Sequence, residues 1–140
     1  MPFRFLPDVA LADVAFEVTS TSVSGLFKDA AAALTEVMVD RQTLARRKTS
    51  TLRLEAEDLD RLLYDFLTDL IIRKDVDLFL VKDAEVRVER SGRRLEAKLA
   101  GEKINRLKHG LRNDVKAVTM HMFGVRREGR GWKATVVLDI

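Results

Sequence analysis

The sequence predicts an α+β fold: two amphipathic helices packed on a largely antiparallel sheet of about six or seven strands. Three observations carry the prediction. Two stretches place apolar residues at helical 3–4 spacing, and the segments between and after them alternate with period two. Turn signals at Ser91-Gly92 and at 128–131 then divide the C-terminal half into two hairpins.

Residues 14–19, VAFEVT, point Val14, Phe16 and Val18 one way and Ala15 and Glu17 the other, as a half-buried strand does. A helix is expected over 24–39, with Leu26, Phe27, Ala30, Leu34, Val37 and Met38 as its apolar stripe and Ser22 or Ser24 as N-cap. The polar, basic stretch 40–48 reads as a loop. Residues 49–57 alternate again, with Leu52, Leu54 and Ala56 inward. Asp58 caps the clearest helix, whose stripe is Leu59, Leu62, Leu63, Phe66, Leu67, Leu70 and Ile71, with Asp60, Arg61, Thr68 and Arg73 opposite. Strands follow at 78–90 and 93–100, a loop at 101–111, and a last hairpin from 113–128 and 131–140. The strand–helix order of 14–39 recurs over 50–74, which leaves a degenerate duplication open.

The 140 residues suit one domain, here 1–140, able to bury a core without staples. With 46% hydrophobic residues, 7 Gly and 2 Pro, the chain is neither disordered nor collagenous. The absence of cysteine excludes disulfide scaffolds, thiol catalysis, iron–sulfur clusters and thiolate zinc. No apolar run approaches the ~20 residues that cross a bilayer. Asp8 and Asp13 interrupt the N-terminal apolar stretch, which makes a poor signal peptide. The expectation is a soluble, cytoplasmic protein without a membrane partner. Lys and Arg number 25 against 22 Asp and Glu, a net charge of +3. The cations cluster at 41–48, 93–108 and 126–133, as a solvated face or a surface for an acidic or RNA-bearing partner.

Nucleotide-binding glycine loops, HExxH and GxSxG are all missing, so a self-sufficient enzyme is not expected. The acids carry more information. Asp13 precedes the first strand of the alternating series, Asp40 follows the first helix, and Asp139 interrupts ATVVLDI one residue from Ile140. They read either as ordinary caps and solvent-facing acids or as donors to a hard cation, Ca²⁺ or Mg²⁺, joined by the terminal carboxylate or carbonyl of Ile140. Alternation puts Lys116 on a face with Val118 and Met120, where it either snorkels or, desolvated, pairs with a phosphate or carboxylate. Lys103, Lys108 and His109 in the loop 101–111 are expected as partner contacts.

Taken in order, the segments FLPDVALADVAFEV, LTEVMVD, LLYDFLTDLIIRKD, HGLRNDVKAVTMHMFGV and GWKATVVLDI resemble the archease family over nearly the whole chain. The closing pair, a K-A-V-T-x-H strand followed by G-W and a terminal V-L-D-I, is the most specific. At the first acid the family reads His-Thr-Ala-Asp, whereas this chain reads Ala10-Leu11-Ala12-Asp13; the acid stays and its polar neighbours are gone. The resemblance implies a protein cofactor without catalysis of its own, which promotes guanylylation and turnover of an RtcB-type RNA ligase in tRNA splicing. It implies that Asp13, Asp139 and Ile140 hold a Ca²⁺-like ion and that Asp40 and Lys116 belong to the same functional surface. tRNA would be met through the ligase complex. The alternative is a chaperone or RNA-binding partner of a tRNA-modifying enzyme such as a methyltransferase.

Overall fold

The computed structural model describes residues 3–6 and 13–140. In chain order the elements are β1 (Phe3–Leu6), β2 (Asp13–Ser20), α1 (Val23–Met38), a 3₁₀ turn (Arg41–Thr43), β3 (Lys48–Glu55), α2 (Leu59–Asp77), β4 (Phe79–Val88), β5 (Arg94–Lys103), β6 (Ala117–Val118), β7 (Gly124–Glu128) and β8 (Gly131–Asp139). The motif Ala10-Leu11-Ala12 lies outside the described residues.

Both helices start where side chains can satisfy their first amides. Ser22 Oγ accepts from the Gly25 N–H at 3.0 Å, and Asp58 Oδ1 accepts from the Arg61 N–H at 2.8 Å. Their expected stripes are the buried ones: Leu26, Phe27, Ala30, Leu34, Val37 and Met38 in α1, and Leu62, Leu63, Phe66, Leu67, Leu70 and Ile71 in α2. Phe27 and Phe66 stack with centroids 6.0 Å apart, joining the two helices at the centre of the core. Thr35, also buried, donates its hydroxyl to Val81 O at 2.8 Å.

The strands are antiparallel throughout, as expected, but among the described residues they form two sheets with eight strands in all. One has the order β1-β2-β8-β6, with β7 also on β8; the other has the order β3-β5-β4. α1 packs on β2 and β4 and so spans both. Alternation reports which face a residue occupies and not which strand lies beside it, so the division into sheets had no signature in the periodicity.

Three further departures from expectation matter for the site. The stretch 113–128 is not one strand. Arg112 and Asn113 donate their backbone N–H groups to Met38 O and Val37 O at the end of α1, β6 has two residues, and a turn with Met122 at φ 56° precedes β7. β5 continues to Lys103, so Gly101 is inside a strand; a Cβ there would meet Leu80 O at 1.9 Å. The bulge at Lys82, opposite this close approach, sends the lysine's Nζ to Arg41 O and Leu44 O at 3.0 and 2.7 Å. Finally, Phe3–Leu6, expected only as a lead-in, pairs with β2.

Phe66 is fully buried and touches the core from both layers. Phe66→Ala should therefore lower unfolding stability by about 3–5 kcal/mol, seen as a lower urea midpoint with an unchanged slope.

Candidate functional site

The last turns of both helices, the first residues of β3 and β4 and the last residues of β5 and β8 meet the segment 104–117. Backbone pairing brings two of the expected acids together here. Asp13 opens β2, Asp139 closes β8, and the two are direct cross-strand partners. Such partners hold their Cβ atoms ~5 Å apart, where like charges oppose pairing unless something sits between them. Both residues are half-buried, and among the described residues neither carboxylate accepts a side-chain hydrogen bond. Ile140, beside Asp139, packs partly against the core.

The other edge of Asp139 is occupied by Ala117, its register partner in β6, and by the Lys116 N–H, which donates to Asp139 O at 2.8 Å. Lys116 thus reaches the acid pair through its backbone. Its side chain is exposed, so the desolvated lysine considered from alternation is not found; Val115 and Val118 are the buried residues, and their three-residue spacing breaks the period-two pattern.

Lys74, in the last turn of α2, braces this segment and was not among the expected site residues. It is 6% exposed and donates to Asp114 Oδ1 at 2.5 Å and Val115 O at 2.8 Å, with Asp75 Oδ1 at 2.6 Å. Burial pulls its pKa down, yet the bonds to Asp114 and Asp75 prevail and hold it above the ordinary lysine value. Its place in the apolar stripe, one turn beyond Ile71, was the available signal.

Asp40 caps the 3₁₀ turn: its carboxylate accepts from the Gln42 N–H at 3.1 Å, and its own N–H donates to Gly110 O at 2.8 Å. It borders a cavity of about 550 Å³ whose other walls include Asp29, Arg41, Lys82 and Arg112 over Phe3 and Phe5. Burial raises the Asp29 carboxyl there, against the opposing pull of Lys28 and Arg41. Asp40 belongs to this end of the molecule through Gly110, without a direct bond to the Asp13–Asp139 pair.

The expected contact loop divides. Lys103 is exposed. Lys108 is bound at 2.9 Å to both oxygens of Glu102, a buried acid within the expected loop 101–111. His109 must be corrected as a contact: its side chain is fully buried. Its Nδ1 accepts from the Asn105 N–H at 2.9 Å, which leaves the proton on Nε2, 3.1 Å from Glu102 Oε2 but off the line of a hydrogen bond. Glu102 also accepts from the Ala45 N–H at 2.5 Å, and Arg47 Nε is 3.5 Å away. The Lys108 ammonium first, then the Ala45 amide and His109, outweigh burial and hold the Glu102 pKa at about 2.

The arrangement is an α+β scaffold with an acid pair at the last strand's end, flanked by an ordered basic loop. The chain belongs to the archease family: the family model described as "Archease protein family (MTH1598/TM1083)" matches residues 3–140. It is 34% identical over 133 residues to the protein archease of Pyrococcus abyssi, covering 92% of this chain and 93% of that one. To the protein archease of Archaeoglobus fulgidus it is 33% identical over 141 residues, covering all of both. Its fold matches the solution structure of Methanobacterium thermoautotrophicum protein 1598 with a TM-score of 0.81 at 30% identity, over 99% of each chain. The crystal structure titled an archease, possible chaperone, from Thermotoga maritima matches with a TM-score of 0.66 at 21% identity over 96% of each. No helix among the described residues is long and apolar enough to cross a membrane.

Glu102 generates a pH prediction. Its pKa is lowered on folding, from 4.5 to about 2, so its contribution is present above the unfolded value and disappears as pH falls through the folded one. Thermal melts should show Glu102→Gln less stable than wild type at neutral pH, with the difference shrinking between pH 4.5 and 2. A difference that stays constant across that window would separate Glu102's role from its charge.

Proposed function

We propose that this chain is a non-catalytic, cytoplasmic activator of an RtcB-type RNA ligase in tRNA splicing, acting through the end of the molecule that carries Asp13 and Asp139. Membership of the archease family motivates the reading, and the register pair Asp13–Asp139 beside Ile140 is the observation that supports it most. The donors there are all oxygens, which suits Ca²⁺ or Mg²⁺ over thiophilic metals. Asp13, Asp139 and Ile140 would hold the ion. Bound there, a divalent cation would offer positive charge to phosphate oxygens, the kind of assistance nucleotidyl transfer needs.

Among the described residues no group of three or more His, Asp or Glu side chains gathers to hold a metal, whereas Ca²⁺ takes 6–8 oxygens. The chain's own residues then have plain roles. Lys116, through its N–H, and Lys74, through Val115 and Asp114, hold the end of β8 in place. Asp40 extends the acidic surface toward the cavity under α1. Leu107, fully exposed, and Leu111, 43% exposed, are apolar anchors of the sort that protein interfaces bury.

Ligation by the cognate ligase should pass from near single turnover to multiple turnover when this protein is added substoichiometrically with GTP. Asp40→Ala should reduce the stimulation while leaving the fold intact, with the melting temperature lowered only by the lost cap on the 3₁₀ turn. Stimulation absent across a tenfold range of added protein would refute the activator role. If the protein instead suppressed aggregation of a tRNA methyltransferase, the chaperone reading would take its place.

Metal binding has its own test. A ligand at a hundredfold excess over Kd stabilises the folded state by about 2.7 kcal/mol. After chelation, added Ca²⁺ should raise the wild-type melting temperature, and Asp139→Asn should lose most of that rise. Without metal the Asn variant should equal or exceed the wild type, because the opposed like charges are relieved. A wild-type melting temperature indifferent to millimolar Ca²⁺ and Mg²⁺ would remove the ion from the reading.

A further inference from the structure

A second charged feature lies at the open end of the β3–β5 pair. Arg47, Lys48, Lys103, Arg106 and Lys108 line a cleft of about 620 Å³, with Ile104 and Asn105 between them and Glu102 as its one acid. The carboxylate of Glu102 is engaged from below by Ala45, Lys108 and Arg47, so it orders the cations around it and leaves an excess of positive charge facing outward. Among the described residues, Lys48, Lys103 and Arg106 have no carboxylate within ion-pair distance, unlike the cross-strand pairs Arg53–Glu96 and Arg94–Glu55 on the same sheet. The chain's overall charge of only +3 makes this concentration a local feature of the fold.

We infer that this cleft binds the phosphodiester backbone of single-stranded RNA. Its chemistry discriminates between the candidate polyanions. A protein partner would be held by aromatic or aliphatic anchors at the centre of the contact, and the cleft offers none beyond half-buried Ile104. Long, flexible cations that converge without an apolar floor instead suit repeated phosphate charges, contacted without sequence readout. The cleft's rigid base also matters: β5 ends at Lys103, Asn105 Oδ1 accepts the Leu107 N–H at 3.0 Å, and His109 pins Asn105, so the loop that carries Arg106 and Lys108 is ordered before any ligand arrives. Asp40 donates its N–H to Gly110 O at the end of this loop and fastens it to the turn after α1. The inference goes beyond the ligase-activator reading and does not depend on it.

The test is fluorescence anisotropy of the isolated full-length protein with a labelled single-stranded RNA of roughly 16 nucleotides. Three to five neutralised phosphates predict an affinity loss of roughly 20- to 100-fold between 50 and 200 mM salt. Lys103→Glu with Arg106→Glu should weaken binding by about tenfold or more and flatten the salt dependence. Arg126→Glu with Arg130→Glu, on the exposed β7–β8 hairpin, changes net charge equally and should have a much smaller effect. Melting curves confirm that both variants fold. Absence of salt-dependent binding, or equal losses in the two variants, would overturn the inference. So would a polyglutamate of equal length that binds as tightly and displaces the RNA, which would mark a face for acidic proteins. Guanylylation of the ligase measured without RNA reports the activator role separately, so either idea can fail alone.

Discussion

β8, the last strand of the chain, lies inside its sheet, hydrogen-bonded to β2 along one edge and to β7 and then β6 along the other. Ala134, Val136 and Leu138 on this strand are fully buried beneath the helices, and Val137, on the opposite face, is fully buried as well. A strand paired on both edges joins its neighbours into one sheet. The five-stranded sheet therefore depends on the C-terminus being in place. That constraint also fixes the site, because the register that buries Leu138 opposite Val14 sets Asp139 opposite Asp13.

Around this frame the charged residues divide into those that hold and those that present. Lys74 and Glu102 are both buried, both multiply bonded, and both sit at the roots of segments that would otherwise be free loops. Removing one partner from such a cluster leaves an uncompensated charge, which is why these residues act as fasteners. Asp13, Asp139, Lys48, Lys103 and Arg106 have no such engagements among the described residues; the two acids are half-buried and the three cations are exposed. The fold thus sets an acidic edge and a basic cleft on neighbouring parts of one end, joined through residues 104–117. Asp40 is tied to the same segment at Gly110.

The two helices, their caps and their stripes were legible because each follows from local rules. Asp58 and Ser22 satisfy amides three residues away, and a 3–4 spacing needs no knowledge of what it packs against. The strand cores at Val14, Phe16 and Val18 and at Leu52 and Leu54 were legible for the same reason. So was the second hairpin turn, where Gly129 takes φ 59° between the register partners Glu128 and Gly131. The motifs KAVTMH and GWKATVVLDI carry the resemblance to the archease family in the sequence alone.

What the sequence by itself determined, then, was the type and order of the main elements, the two apolar stripes, and which acids flank strand and helix ends. Only the tertiary structure decided which strands are neighbours, and hence that two sheets form, since backbone pairing is blind to side-chain period. It alone showed His109 buried and Lys116 exposed, because one is covered by a loop that folds back over β5 and the other sits where the strand pattern breaks. It also made partners of Asp13 and Asp139, 126 positions apart in sequence, through the antiparallel register of β2 and β8. Proximity of that kind is a property of the packed chain: local propensity specifies each strand, and the burial of Phe16, Val18, Val136 and Leu138 selects the one alignment that brings their ends together.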